Sequence, residues 1–272
     1  MSAAEFTIAP VRAFRLKQIV LPAEHGGWGF LFEPIVAATA IAFSPAAPWI
    51  SLMAVGAFLS RQPLKVFIAD RIGTNIPGRG NAALLFLFIF GSLFVVGLTG
   101  AYLTGGAVPL MPFLFVAPFV PFQVYADVNR KARQLLPELG GAASISASAA
   151  SIALAGGNGW PVAMALWAVF ICRLIPSIFY VRQRLLLEKG KAFSRTIPLV
   201  LHLAAFVLTG IMAYYRLLPY LTLLAMAVLL YRAFEGLSPW RKKLKAMKIG
   251  VREVIYGTLT VAMIILGYYA GI

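Results

Sequence analysis

Apolar residues in this chain run in long blocks separated by short polar stretches. Nine blocks reach or approach the roughly 20 residues that a helix needs to cross a bilayer. They lie near 27–44, 46–69, 81–103, 107–126, 139–156, 160–182, 196–215, 217–236 and 250–271. The pattern predicts an all-α polytopic membrane bundle of about nine transmembrane helices, with residues 1–26 as a cytoplasmic N-terminal segment and 27–272 as one transmembrane domain. Two blocks are irregular. The fourth carries Pro109, Pro112, Pro118 and Pro121, which predicts a kinked or partly broken helix, tolerated at membrane depth only under cover of protein or a cavity. The fifth, LGGAASISASAASIALAGG, sets Gly140, Ser144, Ser148 and Ser151 on one face. Small residues at that spacing predict close helix packing, and no nucleophile elbow or base accompanies the serines.

The polar stretches alternate in charge. Basic residues mark the N-terminus and the loops after the second block (Arg61, Lys65, Arg71, Arg79), the fourth (Arg130, Lys131, Arg133), the sixth (Arg182, Arg184, Lys189, Lys191, Arg195) and the eighth (Arg241, Lys242, Lys243, Lys245, Lys248). The opposite set reads SPAAP, TGGAVP, AGGNGW and YRLLP, with Arg216 its single charge. By the positive-inside rule the N-terminus is cytoplasmic, the C-terminus is outside and the number of crossings is odd.

Composition agrees. The chain is 61% hydrophobic and 12% charged, with mean hydropathy +0.85, far from the ~25% charged residues of soluble domains. That places it in a cell inner (cytoplasmic) membrane, without a cleavable signal peptide. The net charge of +15 would suggest nucleic acid in a soluble protein. Here the cations flank apolar spans, so membrane lipids are the expected partners and nucleic acid is not; protein partners are left open. A single cysteine, Cys172, excludes an internal disulfide and a cysteine metal cluster.

Candidate chemistry starts at LPAEHGGWGFLFEP, residues 21–34, where His25, Gly29 and Glu33 fall on one helical face. An ionisable group inside an apolar span is costly and faces a bundle interior or cavity. Glu33, Arg173 and Glu253 are too deep to snorkel, and a structural Glu33–Arg173 pair and a substrate site are both open. Arg173, Ser177, Tyr180 and Arg184 follow a helical stripe in ICRLIPSIFYVRQR, and His202 lies near the start of the seventh block. Tyr180 and His202 are either interhelical hydrogen-bonders or site groups. Arg232 and Glu235, at i and i+3, predict a local ion pair. Glu253, Tyr256 and Thr260 share a face. The cations Lys65, Arg182 and 241–248 serve topology and snorkelling in the first instance. The glycine- and proline-rich IGTNIPGRGN could present backbone N–H groups to an anion, yet it lacks the ending of a nucleotide-binding P-loop.

These stretches resemble the YwiC-like family of bacterial integral membrane proteins. The resemblance rests on LPAEHGGW, on RQPL ending the second block, on RQLLPELGGAASIS, on PSIFYVRQRL and on KIGVREVIYG, over nearly the full length. It implies a membrane location and little chemistry. In architecture the chain also resembles UbiA-type prenyltransferases, whose aspartate-rich motifs after spans two and six hold magnesium against an isoprenyl diphosphate. Here those places offer only Asp70 and Glu188, so magnesium is not supported and the cofactor stays unknown. Arginine binds phosphate without a metal. Expected substrate-binding residues for a phosphorylated lipid are therefore Arg61, Lys65, Arg71, Arg79, Arg173, Tyr180, Arg182, Arg184 and His202, with His25, Glu33 and Glu253 as acid–base candidates. A transporter or lipid carrier, and a non-catalytic assembly factor, are the alternatives.

Overall fold

The computed structural model describes residues 15–21, 25–74, 76–129, 131 and 134–272; the side chains of residues 25, 26 and 74 lie outside that description. Eleven α-helices and no strand occur among the described residues. They are α1 (Leu16–Val20), α2 (His25–Ile41), α3 (Ala47–Ala69), α4 (Arg79–Gly105), α5 (Met111–Val116), α6 (Phe119–Val128), α7 (Leu135–Ala155), α8 (Trp160–Glu188), α9 (Thr196–Tyr214), α10 (Leu221–Gly236) and α11 (Ala246–Ala270).

Helices α2 to α11 occupy all nine predicted blocks, α5 and α6 sharing the fourth. By length and composition six of them can cross a membrane, or seven with the bent segment counted as one. The protein is thus a polytopic helical membrane bundle. Over their described residues two helices are shorter than a crossing: α2 has 17 residues and α10 has 16, about 25 Å each at 1.5 Å per residue, against a hydrocarbon core of about 30 Å. The fourth block is broken where its prolines require. A 3₁₀ turn over Val108–Leu110 leads into α5, and the segment then bends by 44° before α6. Both halves pack on α7, and the Ser151 hydroxyl donates to the Pro109 carbonyl at 2.5 Å, supplying a partner where the helix is interrupted.

Six helices close into a ring: α2 packs on α7, α7 on α8, α8 on α9, α9 on α10, α10 on α11, and α11 back on α2. Helix α8 also touches α2, α10 and α11, so it leans into the ring's interior. Small residues allow this closeness. Ser146, Ser148, Ser151 and five alanines of α7 are buried, as the run of small residues predicts. Outside the ring, α3 packs on α2 and α7 and carries α4 on its far side. A Cβ at Gly56 or Gly97 would run into the partner helix backbone at Phe94 or Met53, so these glycines set the α3–α4 distance. The other face of α4, with Leu85, Phe88 and Leu103, is exposed and suits lipid.

Contacts sort the loops to two ends. At the basic end Arg61 reaches Asp127, Arg182 reaches Glu138 and Arg184 reaches the Lys242 carbonyl. At the opposite end the Tyr269 hydroxyl donates to the Ala40 carbonyl, and Gly156 lies against Ala42.

Candidate functional site

Five helices of the ring contribute to one buried polar network. From α8, Arg173 is 1% exposed; its Nη2 donates to Glu33 Oε1 of α2 at 3.3 Å and to the Glu253 backbone carbonyl of α11 at 3.0 Å. Its Nη1 donates to Ser177 Oγ at 2.7 Å and lies 3.8 Å from Glu253 Oε2. From α10, Arg232 donates to Glu253 Oε2 at 2.6 Å and to Ser177 Oγ at 3.2 Å. Ser177 therefore accepts from both guanidiniums while its own proton goes to the Arg173 carbonyl at 2.7 Å. His202 of α9 completes the set. Its Nδ1 lies 2.7 Å from the Pro198 carbonyl and its Nε2 2.9 Å from Arg232 Nη2. A carbonyl needs a donor and a guanidinium needs an acceptor, so this is neutral imidazole with the proton on Nδ1. The Arg232 guanidinium also sits between the Tyr180 and Tyr256 rings, 4.4 and 5.2 Å from their centroids, in cation–π contact.

The arrangement balances charge: Arg173 and Arg232 face Glu33 and Glu253. Desolvating such groups costs several kcal/mol per ion, and only close geometry and further hydrogen bonds repay it. Here repayment is incomplete. Glu33 Oε2, Arg173 Nε and Arg232 Nε are buried without a hydrogen-bond partner among the described residues. Space for the cluster comes from glycine. A Cβ at Gly257 of α11 would overlap the Glu33 carboxylate and stand 3.0 Å from Arg173 Nη2. Glu33 also folds back over its own helix, since a Cβ at Gly29 would lie 3.3 Å from Oε1.

The expected local pair of Arg232 with Glu235 does not form; Arg232 turns into the ring and pairs with Glu253. Burial of the inner face of α10 decides this, because a guanidinium left inside the ring needs a carboxylate there. The expected phosphate-binding arginines at the basic end are engaged with acids. Arg61 holds Asp127 bidentately, at 2.7 and 3.0 Å. Arg79 holds Asp70. Arg182 meets Glu138 at 2.5 Å, and Arg184 meets Glu188 at 2.9 Å. Lys65 is half-buried, and Arg71 lies over the Phe67 ring at 5.2 Å. The His25 side chain, and Arg12, Glu24, Asn75, Arg130 and Arg133 altogether, lie outside the described residues. Asp70 and Glu188, the acids at the two places where aspartate-rich motifs would stand, are held by Arg79 and Arg184, and no group of three metal-ligating side chains occurs among the described residues.

Asp127 was not singled out by the sequence, and Glu138 entered only within RQLLPELGGAASIS, with no partner assigned to it. One signal was available: with nine acids against 24 cations, any acid at a basic loop has an arginine within reach.

A family model described as YwiC-like protein matches residues 21–153. Over those residues the chain is similar to the YwiC-like family. Neither the curated proteins nor the solved structures contain a match to the chain. The YwiC-like portion holds LPAEHGGW, RQPL and RQLLPELGGAASIS and runs from the approach to α2 almost to the end of α7. PSIFYVRQRL and KIGVREVIYG fall beyond it. The buried network thus joins Glu33 of the YwiC-like portion to four helices that follow it.

Proposed function

We propose that this multi-pass protein binds a phosphorylated isoprenoid or similar anionic lipid from the cytoplasmic leaflet, with its tail between α9 and α10. The observation that carries the reading is an apolar groove of about 550 Å³ between these helices, walled by Leu199, Leu203 and Phe206 on one side and Leu230, Tyr231 and Phe234 on the other. Its Leu199–Phe234 end opens beside the loops holding Lys189, Lys191 and Arg195, and Lys242, Lys243 and Lys245. None of these six has a carboxylate within ion-pair distance among the described residues. Cations without an acid partner therefore stand beside this groove, whereas the charges of Arg61, Arg79 and Arg182 are already met. A groove for a chain and cations for a head fit a lipid phosphate. Glu33 and Glu253 are held by arginines, which favours binding over bond-making. The topology that goes with this reading has a cytoplasmic N-terminus and nine crossings, which requires the short α2 and α10 to span a locally thinned bilayer.

Thermal denaturation in non-ionic detergent tests it, with farnesyl diphosphate, farnesol and pyrophosphate as probes. A site filled at a hundredfold over Kd adds about 2.7 kcal/mol. Farnesyl diphosphate should raise the melting temperature by roughly 5 °C, with or without chelator, and the other two should not. Filling the groove with Ala227→Trp should remove the effect. No shift, or one unchanged in that variant, defeats the proposal.

One observation favours a carrier as a second reading: an ionic network inside a closed ring, with an unpartnered carboxylate oxygen, suits a proton-coupled path. Proton flux into proteoliposomes loaded with a pH-sensitive dye, lost in Glu33→Gln, would replace the first reading with this one.

A further inference from the structure

At the end of the ring opposite the basic loops lies a second cavity, of about 500 Å³. Its floor is Leu166 of α8 and Ile264 of α11, both fully buried, with Ile41 of α2 and Leu218 along the wall. Its rim carries Arg216 and the Asn158 side chain. From Leu166 to Arg173 is seven residues, about 10 Å along α8, and the buried Val169 and Phe170 lie between. This mouth is therefore separate from the ionic network.

Arg216 is unusual in three independent respects. It is the single charged side chain in the loops of this end. It has φ 57°, the one positive φ of a non-glycine residue among those described. It has no carboxylate within ion-pair distance among the described residues. The backbone explains the second point. The Arg216 N–H donates to the Ala213 carbonyl and the Leu217 N–H to the Met212 carbonyl, each at 2.9 Å. That is the Schellman ending of α9, whose left-handed position glycine fills without strain and a Cβ does not. An arginine there is disfavoured by the fold. Residues held in sparsely populated backbone regions mark functional positions. Here the residue that bears the strain carries the cation at the mouth of a cavity whose floor, Leu166 and Ile264, is apolar.

We infer that this mouth is a binding site for an amphipathic monoanion, its carboxylate or similar head on Arg216 and its apolar body on the Leu166–Ile264 floor. The volume is in the range of small-molecule sites, and a lone cation above an apolar floor selects one negative charge joined to a hydrocarbon.

The test uses full-length protein in non-ionic detergent, with octanoate as probe and octanol, acetate and octyltrimethylammonium as comparisons. Octanoate should raise the melting temperature of the wild type and the other three should not. Arg216→Gly should itself melt roughly 2–4 °C higher than wild type, because the left-handed strain is gone, and should lose the octanoate response at least tenfold in concentration. Arg216→Lys should keep the response. Val162→Trp, which narrows the cavity and leaves Arg216 in place, should also lose it, whereas the α9–α10 variant Ala227→Trp should not. A protein stabilised by Arg216→Gly yet blind to octanoate cannot be dismissed as misfolded. An equal response in wild type and Arg216→Gly, or an equal response to octanol, overturns the inference.

Discussion

Replacing Gly257 by alanine adds one methyl group where the Glu33 carboxylate now sits. In an unconstrained helix interior the change is favourable by about 1 kcal/mol, since alanine loses less backbone entropy. At this position the added carbon cannot coexist with Glu33 Oε1, and Arg173 Nη2, the partner of that oxygen, is only 3.0 Å away. Either α11 moves outward, an overpacking cost of about 1–3 kcal/mol, or the carboxylate is displaced and a buried guanidinium loses its partner, at about 3–5 kcal/mol. With displacement, the propensity gain offsets only a quarter or so, leaving a net loss of about 2–4 kcal/mol. At roughly 2 °C per kcal/mol for a chain of this size, the melting temperature in detergent should fall by about 4–8 °C. Gly250, on the same helix, is the control, because a Cβ there meets open space; Gly250→Ala should melt at or slightly above wild type. A second comparison removes the obstacle. In a Glu33→Ala background, Gly257→Ala should cost nothing further, a coupling that a double-mutant cycle reads directly. If Gly257→Ala is as stable as Gly250→Ala, or if the two changes add, the Glu33 carboxylate does not occupy that space and the described network is wrong.

Three further outcomes follow from the packing. Glu33→Gln and Arg173→Met should each destabilise by about 3 kcal/mol or more, while the double variant should recover part of the loss, because no unpaired charge then stays buried; chemical denaturation of the three proteins measures this. Gly97→Leu should separate α3 from α4 and reduce yield of folded protein by size-exclusion profile, whereas Gly91→Leu, whose Cβ position faces open space, should leave the profile unchanged. In a background lacking Cys172, a cysteine at 245 should react with an impermeant maleimide from the same side as one at 189, and a cysteine at 158 from the other side; labelling of 158 and 245 from one side would refute the alternating topology.

Much of the architecture was legible because bilayer physics constrains it tightly. Block length predicted the helices, four prolines predicted the break between α5 and α6, and the small residues of α7 predicted its close packing. Crossing count was less legible, because an apolar block does not show where a helix starts or stops: α10 starts at Leu221, past Pro219, although its block opens at 217, and α2 stops at Ile41, before Pro45, although its block runs to 44. Within the candidate site, helical spacing put Arg173, Ser177, Tyr180 and Arg184 on one face, and all four are buried. Partner choice was not legible. Spacing along one helix favoured Arg232 with Glu235, whereas closure of the ring brought Glu253 across from another helix. Gly257 was invisible for the same reason, since its role is to be absent from a space that a different helix fills.

The balance of the buried cluster has an electrical consequence. With both carboxylates ionised, Glu33 and Glu253 cancel Arg173 and Arg232, so the group as a whole exerts no net force in a transmembrane field. A unit charge carried across the full potential is worth about 2.3 kcal/mol per 100 mV. The intact quartet can shift along the membrane normal without drawing on that energy. Neutralising any one member leaves a net charge at depth, and the cluster then adds a voltage-dependent contribution to that variant's conformational balance.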